Sequence, residues 1–394
     1  MEIRPTVSFE NTEIAFRSKS NGELRKSYYL FKLIGNPGLV GFGKFATDFA
    51  LKLHIPIGWA IKGNIFRQFC GGETIAECAR ATKILDQYHI GTILDYSVEG
   101  KESEKDFDAT KEETLNTIRT AEGNANIPFC VFKVTGIARF ELLENVNAGK
   151  KLDEAEVGEW QRVRNRVDEI CALAHDTGTP VFIDAEDSWI QDAIDGLADE
   201  MMEKYNHEKA IVFNTIQLYR HDRLAFLKTS FEHAKAKNYK IGVKLVRGAY
   251  MEKERKRAAE MNYRDPINEN KDATDQEFNA AIDFCIEHLD RISICAGTHN
   301  EASSLRLATL MDEKNIPRND PRIYFAQLFG MSDHISFNMA DAGYNVAKYV
   351  PYGPIREVIP YLIRRARENT SVKGQTGREL SLILKEMKRR KIKL

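Results

Sequence analysis

Near the end of the chain, YLIRRARENTSV (361–372) sets Arg364 and Arg365 side by side, behind Tyr361 and ahead of Glu368. Helical residues three and four apart share a face, so Tyr361 would lie over both arginines and Glu368 below them. Such a face is either solvated or a clamp for an anion. Two guanidiniums on one carboxylate would form charge-assisted bonds worth roughly 1.5 to 3 kcal/mol each. A second cluster is VFIDAEDSW, where Asp184 and Glu186 alternate at the end of an apolar run. Alternate strand residues point the same way, so the pair could ligate a metal. A divalent ion needs further oxygen ligands, whereas neighbouring runs end in Lys133, Gln217 and the basic VRG of 246–248. No metal is expected, and pairing of these acids with the protein's own lysines and arginines stays open.

Lys133 in FCVFKVTGI and Lys244 in IGVKLVRGAY stand in apolar runs, where an unpaired ammonium is costly. Each is a Schiff-base nucleophile, a fixed charge opposite a carboxylate or reduced cofactor, or half of a structural ion pair. GTHN (297–300) places Thr298, His299 and Asn300 directly after an apolar run, a donor set suited to phosphate or ribityl hydroxyls. Gly248 permits close backbone approach to a ligand, with Tyr250 beside it. Together these residues outline a cavity for something large, polar at one end and flat at the other.

The elements that must position them are eight short β-rich runs, at 91–98, 129–137, 181–186, 210–219, 240–248, 292–300, 322–330 and 345–353. Polar segments of helical period separate them. DEAEVGEWQRVRNRVDEICALAHDTG (153–178), with Gly178 as C-cap, and the segment from 304 to 316 are examples. Strands buried on both faces read as continuous apolar runs, and strand–helix alternation gives a parallel sheet. Eight such units predict an α/β fold, a (β/α)8 TIM-type barrel. An N-terminal helical region (1–85) precedes the barrel (86–372), and a basic C-terminal helix or tail (373–394) follows it. Function in such barrels gathers at the strands' C-terminal ends. Asp184, Glu186, Lys133, Gln217, Tyr219, Arg247, Tyr250, Thr298, His299, Asn300, Gln327 and Tyr349 all fall there.

Composition narrows the partners. With 57 basic and 58 acidic residues, the chain has no global field to draw nucleic acid or an anionic membrane. Six scattered cysteines form no CxxC or Cys/His pattern, which argues against zinc and a disulfide framework and for a reducing compartment. The start MEIRPTVSFENTE lacks a signal pattern, and no apolar stretch is long enough to span a bilayer. The expected location is the bacterial cytoplasm. GFGKFA (41–46) matches a dinucleotide fingerprint but has no preceding strand and no acid about twenty residues on, so it is set aside.

FIDAE, KLVRGAY, GTHN, FAQLFGM and YVPYGPIREVIPYLIRRARENTSV occur in one order at the predicted strand ends. In these segments the sequence resembles the proline dehydrogenase family, flavoproteins that oxidise L-proline to Δ1-pyrroline-5-carboxylate. The resemblance runs from about residue 90 to the C-terminus and implies a distorted barrel with its last helix over the mouth. It implies that Arg364 and Arg365 bind the proline carboxylate, that Lys133 and Asp184 line the pocket, and that Tyr250, Leu328, Tyr349 and Tyr361 enclose the ring. For FAD it implies Gln217 at the pyrimidine edge and Lys244 beside the ring. Val246, Arg247, Gly248, Ala249, Thr298, His299 and Asn300 would hold the ring and its phosphate arm, with Ala185 and Glu368 completing the set. Asp184 and Lys244 take the catalytic positions. Bifunctional bacterial relatives carry arginine where this chain has Lys244, so the single-function branch is the better likeness, and a separate pyrroline-5-carboxylate dehydrogenase is implied. Tyr349 favours proline over hydroxyproline. Ubiquinone or menaquinone is the implied electron acceptor. That invites peripheral contact with the inner membrane through KEMKRRKIKL (385–394), a segment equally readable as a solvated helix end. On the residues alone, a lysine-based or metal-assisted aldolase and a non-catalytic amino-acid sensor stand as rivals.

Overall fold

The computed structural model describes residues 7–35, 65–98, 102–371 and 375–393. Each of the eight apolar runs forms a strand: β1 (Ile90–Tyr96), β2 (Phe129–Lys133), β3 (Val181–Asp184), β4 (Val212–Gln217), β5 (Ile241–Val246), β6 (Ile292–Gly297), β7 (Ile323–Leu328) and β8 (Val346–Tyr352). They close into a barrel in sequence order. Neighbouring strands pair in parallel, with Lys133 opposite Asp184 and Lys244 between Thr215 and Cys295. Because the strands are parallel, their C-terminal ends share one rim. The second run is shorter as a strand than as a sequence pattern, passing at Val134–Gly136 into a 3₁₀ turn.

The chain divides into two compact units that run across the sequence boundaries at 85 and 372: one of residues 100–326, the other of residues 7–99 with 327–394. In the first, Phe129 stacks on Phe182 at 4.5 Å, and Phe213 and Tyr324 meet them edge-on at 5.4 and 4.8 Å. A β-carbon on Gly242 would stand 2.5 Å from the Phe213 ring, so the aromatic layer requires glycine there. This layer lies among the first residues of its strands and leaves Asp184, Lys133 and Gln217 further along them, toward the rim. Outside it runs the helix Glu154–Thr177, opened by an Asp153/Glu156 capping box and closed by Gly178 at φ 68°.

In the second unit the basic tail is a helix, Gln375–Arg389. Its Leu382, Ile383 and Met387 pack with Phe16, Leu24 and Phe31 of the N-terminal segment. Each such side chain contributes about 1.5 to 3 kcal/mol by leaving water. Lys385 and Arg378 pair with Glu10 at 3.0 and 2.6 Å, and Arg390 donates to the Phe16 carbonyl at 2.8 Å. The apolar face read from the sequence is therefore covered by the chain's own N-terminal residues. Among the described residues no helix is long and apolar enough to cross a membrane.

Candidate active site

The end of β3 and the middle of β5 bring Asp184 and Lys244 together as an ion pair, with 15% and 5% of their side chains exposed. The Lys244 ammonium also lies 5.2 Å over the Phe182 ring, joining the polar layer to the aromatic one. Lys133 is the register neighbour of Asp184, so the two lysines and one acid of the sequence reading occupy three strands of one barrel. Glu186 does not share the Asp184 face. β3 ends at Asp184, so strand alternation stops, and the Glu186 carboxylate accepts from the Thr135 amide at 3.0 Å and from the Thr135 hydroxyl. Burial pushes its carboxyl up to about 7, against the lowering effect of the Thr135 bonds and of Lys133. Among the described residues no three His, Cys, Asp or Glu side chains converge as metal ligands.

Gln217, at the end of β4, is 2% exposed. Its Nε2 donates to the Glu186 carbonyl at 2.9 Å, and Oε1 has no donor among the described residues. The amide is held from behind. The Glu186 amide donates to Gln191 at 2.8 Å, Gln191 donates to Asp195 at 2.9 Å, and Asp195 is paired with the buried Arg223 at 2.7 Å. A fixed, buried acceptor of this kind suits an N–H donor on a bound group.

Arg247 spans from the end of β5 to the loop after β6. Its Nε donates to Asp275 at 2.7 Å, Nη1 to the Thr298 hydroxyl at 2.7 Å and Nη2 to Ser303 at 2.9 Å. Burial lowers its guanidinium pKa, and Asp275 opposes the shift. Thr298 also accepts from the Asn300 amide at 3.1 Å, and Asn300 caps the Glu301–Glu313 helix. The GTHN segment is thus built as a helix N-terminus, an arrangement suited to phosphate. Gly248, at φ 134°, lies so close to the Tyr219 ring that a β-carbon would overlap it. Val246 and Arg247 are half-buried there, and Gly248 and Ala249 are exposed. Ala185, His299 and Tyr250 are half-buried at their strand ends.

In the second unit, Arg365 is 7% exposed and its guanidinium lies 5.1 Å over the Tyr361 ring, one turn away. Arg364 is half-buried. Both are carried by the helix Ile355–Ser371, where Arg365 is buried rather than solvated. Tyr361 packs in one apolar cluster with Met331, and Leu328 lies against that cluster. Tyr349 is 8% exposed in β8, and its carbonyl accepts from the Phe329 amide at 2.8 Å. The Glu368 side chain and GFGKFA (41–46) lie outside the described residues. Sequence reasoning passed over Lys348 and Asp95, each 6% exposed or less. A charged side chain inside each of the apolar runs 91–98 and 345–353 was the available signal.

A profile of the proline dehydrogenase family matches residues 78–378. The chain belongs to the proline dehydrogenase family. It is thereby an oxidoreductase of proline metabolism, in a family that carries out the first step of proline catabolism. It is 35% identical to mitochondrial proline dehydrogenase 1 of Dictyostelium discoideum, over 96% of this chain and 74% of that one. A hydroxyproline dehydrogenase of Xenopus laevis is 30% identical, over 99% of this chain and 91% of the relative. The carbapenem antibiotics biosynthesis protein CarD of Pectobacterium carotovorum subsp. carotovorum is 35% identical, over 82% and 83% respectively. In fold, the chain is similar to proline utilization A from Bdellovibrio bacteriovorus, with a TM-score of 0.72 at 20% identity over 91% of this chain and 38% of that one.

Proposed function

We propose that this protein oxidises L-proline to Δ1-pyrroline-5-carboxylate with FAD as its cofactor and a membrane quinone, ubiquinone or menaquinone, as final electron acceptor. The observation that carries the cofactor assignment is the buried Oε1 of Gln217, without a donor among the described residues and fixed by the bond from Nε2 to the Glu186 carbonyl. Arg247, Gly248, Ala249 and Val246 at the end of β5, with Thr298, His299 and Asn300 after β6, would hold the rest of the group, joined by Ala185, Lys244 and Glu368. When bound, the flavin supplies the hydride acceptor.

The chain's own residues bind and orient. Arg364 and Arg365 take the carboxylate; Tyr250, Leu328, Tyr349 and Tyr361 enclose the ring; Lys133 and Asp184 complete the polar lining. Fixing a small ring by its carboxylate converts binding energy into orientation, an effect worth several kcal/mol of barrier. The Lys244 ammonium, held in place by Asp184, provides positive charge where electron density accumulates. The substrate amine must be neutral to release hydride, so the rate rises with pH as the ammonium loses its proton. The Tyr349 side chain favours proline over hydroxyproline. The product passes to a separate pyrroline-5-carboxylate dehydrogenase, and the site of action is the cytoplasm, with peripheral contact at the inner membrane for quinone.

One spectrum tests the reading. The purified protein is expected to absorb near 450 nm and to bleach on anaerobic addition of L-proline. A colourless protein, or a coloured one that L-proline leaves unbleached, overturns it. Schiff-base trapping by borohydride would favour the aldolase alternative.

A further inference from the structure

Between β7 and the helix Asp333–Asp341 the chain makes a turn with one internal backbone bond, Met331 amide to Leu328 carbonyl at 3.2 Å, and strained dihedrals. Gly330 sits at φ 74° and Ser332, a residue with a side chain, at φ 50°. Left-handed backbone is unfavourable for a non-glycine residue, so contacts from outside the turn help to fix it. Four other segments of the same unit supply them. Lys348, in β8 and 1% exposed, donates from Nζ to the Met331 carbonyl at 2.5 Å, to Asp333 at 2.9 Å and to the Leu328 carbonyl at 3.4 Å. Gln68 donates to the Gly330 carbonyl at 2.8 Å, and Glu379 of the C-terminal helix accepts from the Ser332 amide at 2.5 Å. Lys19, from the N-terminal segment, pairs with Asp333 at 3.3 Å.

The charges in this clamp are matched. Burial would raise the Asp333 carboxyl, yet Lys348 and Lys19 hold it down to about 2. Desolvation lowers Lys348, and Asp333 opposes that shift. The turn begins at Leu328, its Phe329 amide is bonded to the Tyr349 carbonyl, and its Met331 packs with Tyr361. Lys348 is also the chain neighbour of Tyr349, pointing to the turn on the far side of the strand from its neighbour.

We infer that Lys348, Asp333 and Glu379 are positioning residues: they fix Leu328 and Tyr349 from behind and thereby set the size of ring the pocket admits. The inference rests on the proposed substrate site and adds its specificity control. That control reaches from the C-terminal helix through a single carboxylate to one backbone amide. None of the three touches substrate.

The test compares L-proline with its six-membered homologue, L-pipecolate, and with 4-hydroxyproline on the FAD-loaded full chain. Glu379→Ala is expected to raise KM for L-proline roughly 10-fold with kcat within about 2-fold, and to shift kcat/KM toward the bulkier rings by a similar factor. Bound flavin per chain stays unchanged. Glu379→Gln, whose amide oxygen still accepts from Ser332, restores the unmodified preference. Lys19→Met, at a half-buried position that weakens the clamp without emptying it, moves the same ratio by about 3-fold and decides the matter if Glu379→Ala does not fold. A merely structural role would lower thermal stability and leave the ratio unmoved; that result, in Glu379→Ala or Lys19→Met, overturns the inference. If the unmodified protein fails to bleach with L-proline, the substrate site itself is wrong and the inference falls with it. If it bleaches and the ratio does not move, only the inference falls.

Discussion

The Asp184 carboxylate and the Lys244 ammonium face each other from β3 and β5, separated in sequence by sixty residues and both largely withdrawn from water. Two buried charges are stable only as a pair, and removing one leaves the other without compensation. Asp184→Ala is therefore expected to cost about 3 to 5 kcal/mol of unfolding free energy. The double variant Asp184→Ala/Lys244→Met should recover much of that loss while staying inactive. Denaturant melts of the unmodified protein, of Asp184→Ala and of the double variant check it; equal losses in the single and double variants would contradict a coupled pair.

The Arg365 guanidinium lies over the Tyr361 ring of its own helix at 5.1 Å. Replacing Arg364 or Arg365 by Met removes one charge-assisted contact, expected to raise KM for L-proline by roughly 10-fold to 100-fold while the protein stays yellow. Steady-state kinetics with flavin quantitation measure both. Loss of flavin with unchanged affinity for proline would assign the helix another task.

At Gln217, Leu keeps the side chain's bulk and deletes its acceptor. Gln217→Leu is expected to weaken FAD retention by about 10-fold or more, since a buried donor on the ligand loses its partner. It also frees the Glu186 carbonyl of its bond. Titration of apoprotein with FAD, followed by flavin fluorescence, reads the change directly.

The raised carboxyl of Glu186 has a pH signature. Its folded pKa, about 7 through burial, lies above the ordinary carboxylate value. The folded state then holds a proton that the unfolded chain has lost, so stability is full below the ordinary value and declines as pH rises to about 7. In Glu186→Gln that part of the decline should vanish. Thermal melts from pH 4 to 8 provide the measurement, and parallel curves for the two proteins would refute the assignment.

The barrel was readable because its strands are buried on both faces and need no partner to declare themselves: VFIDAE and KIGVKLVRG are apolar whatever they pack against. Asp184 and Lys244 stood out for the same reason, as charges in apolar surroundings. Glu186 misled, since alternation holds only while the strand continues and β3 stops two residues earlier. The arginine pair was ambiguous because periodicity reports which residues share a face and not what covers it. The partners of Lys348 were invisible for a related reason: residues 328, 331 and 333 belong to a turn, and turns have no period. The tail's amphipathic face was legible, whereas its occupant, Phe16, Leu24 and Phe31, lies more than three hundred residues away along the chain.

That last packing bears on synthesis. A ribosome delivers Phe16 and Leu24 long before Leu382 and Met387, so the early helices must wait, apolar side outward, until residue 387 has emerged. Residues 100–326 form a compact unit that has emerged well before residue 382. Nascent chains stalled shortly before residue 375 should therefore recruit chaperones through the segment of Phe16, Leu24 and Phe31, and emergence of residues 375–389 should end that dependence.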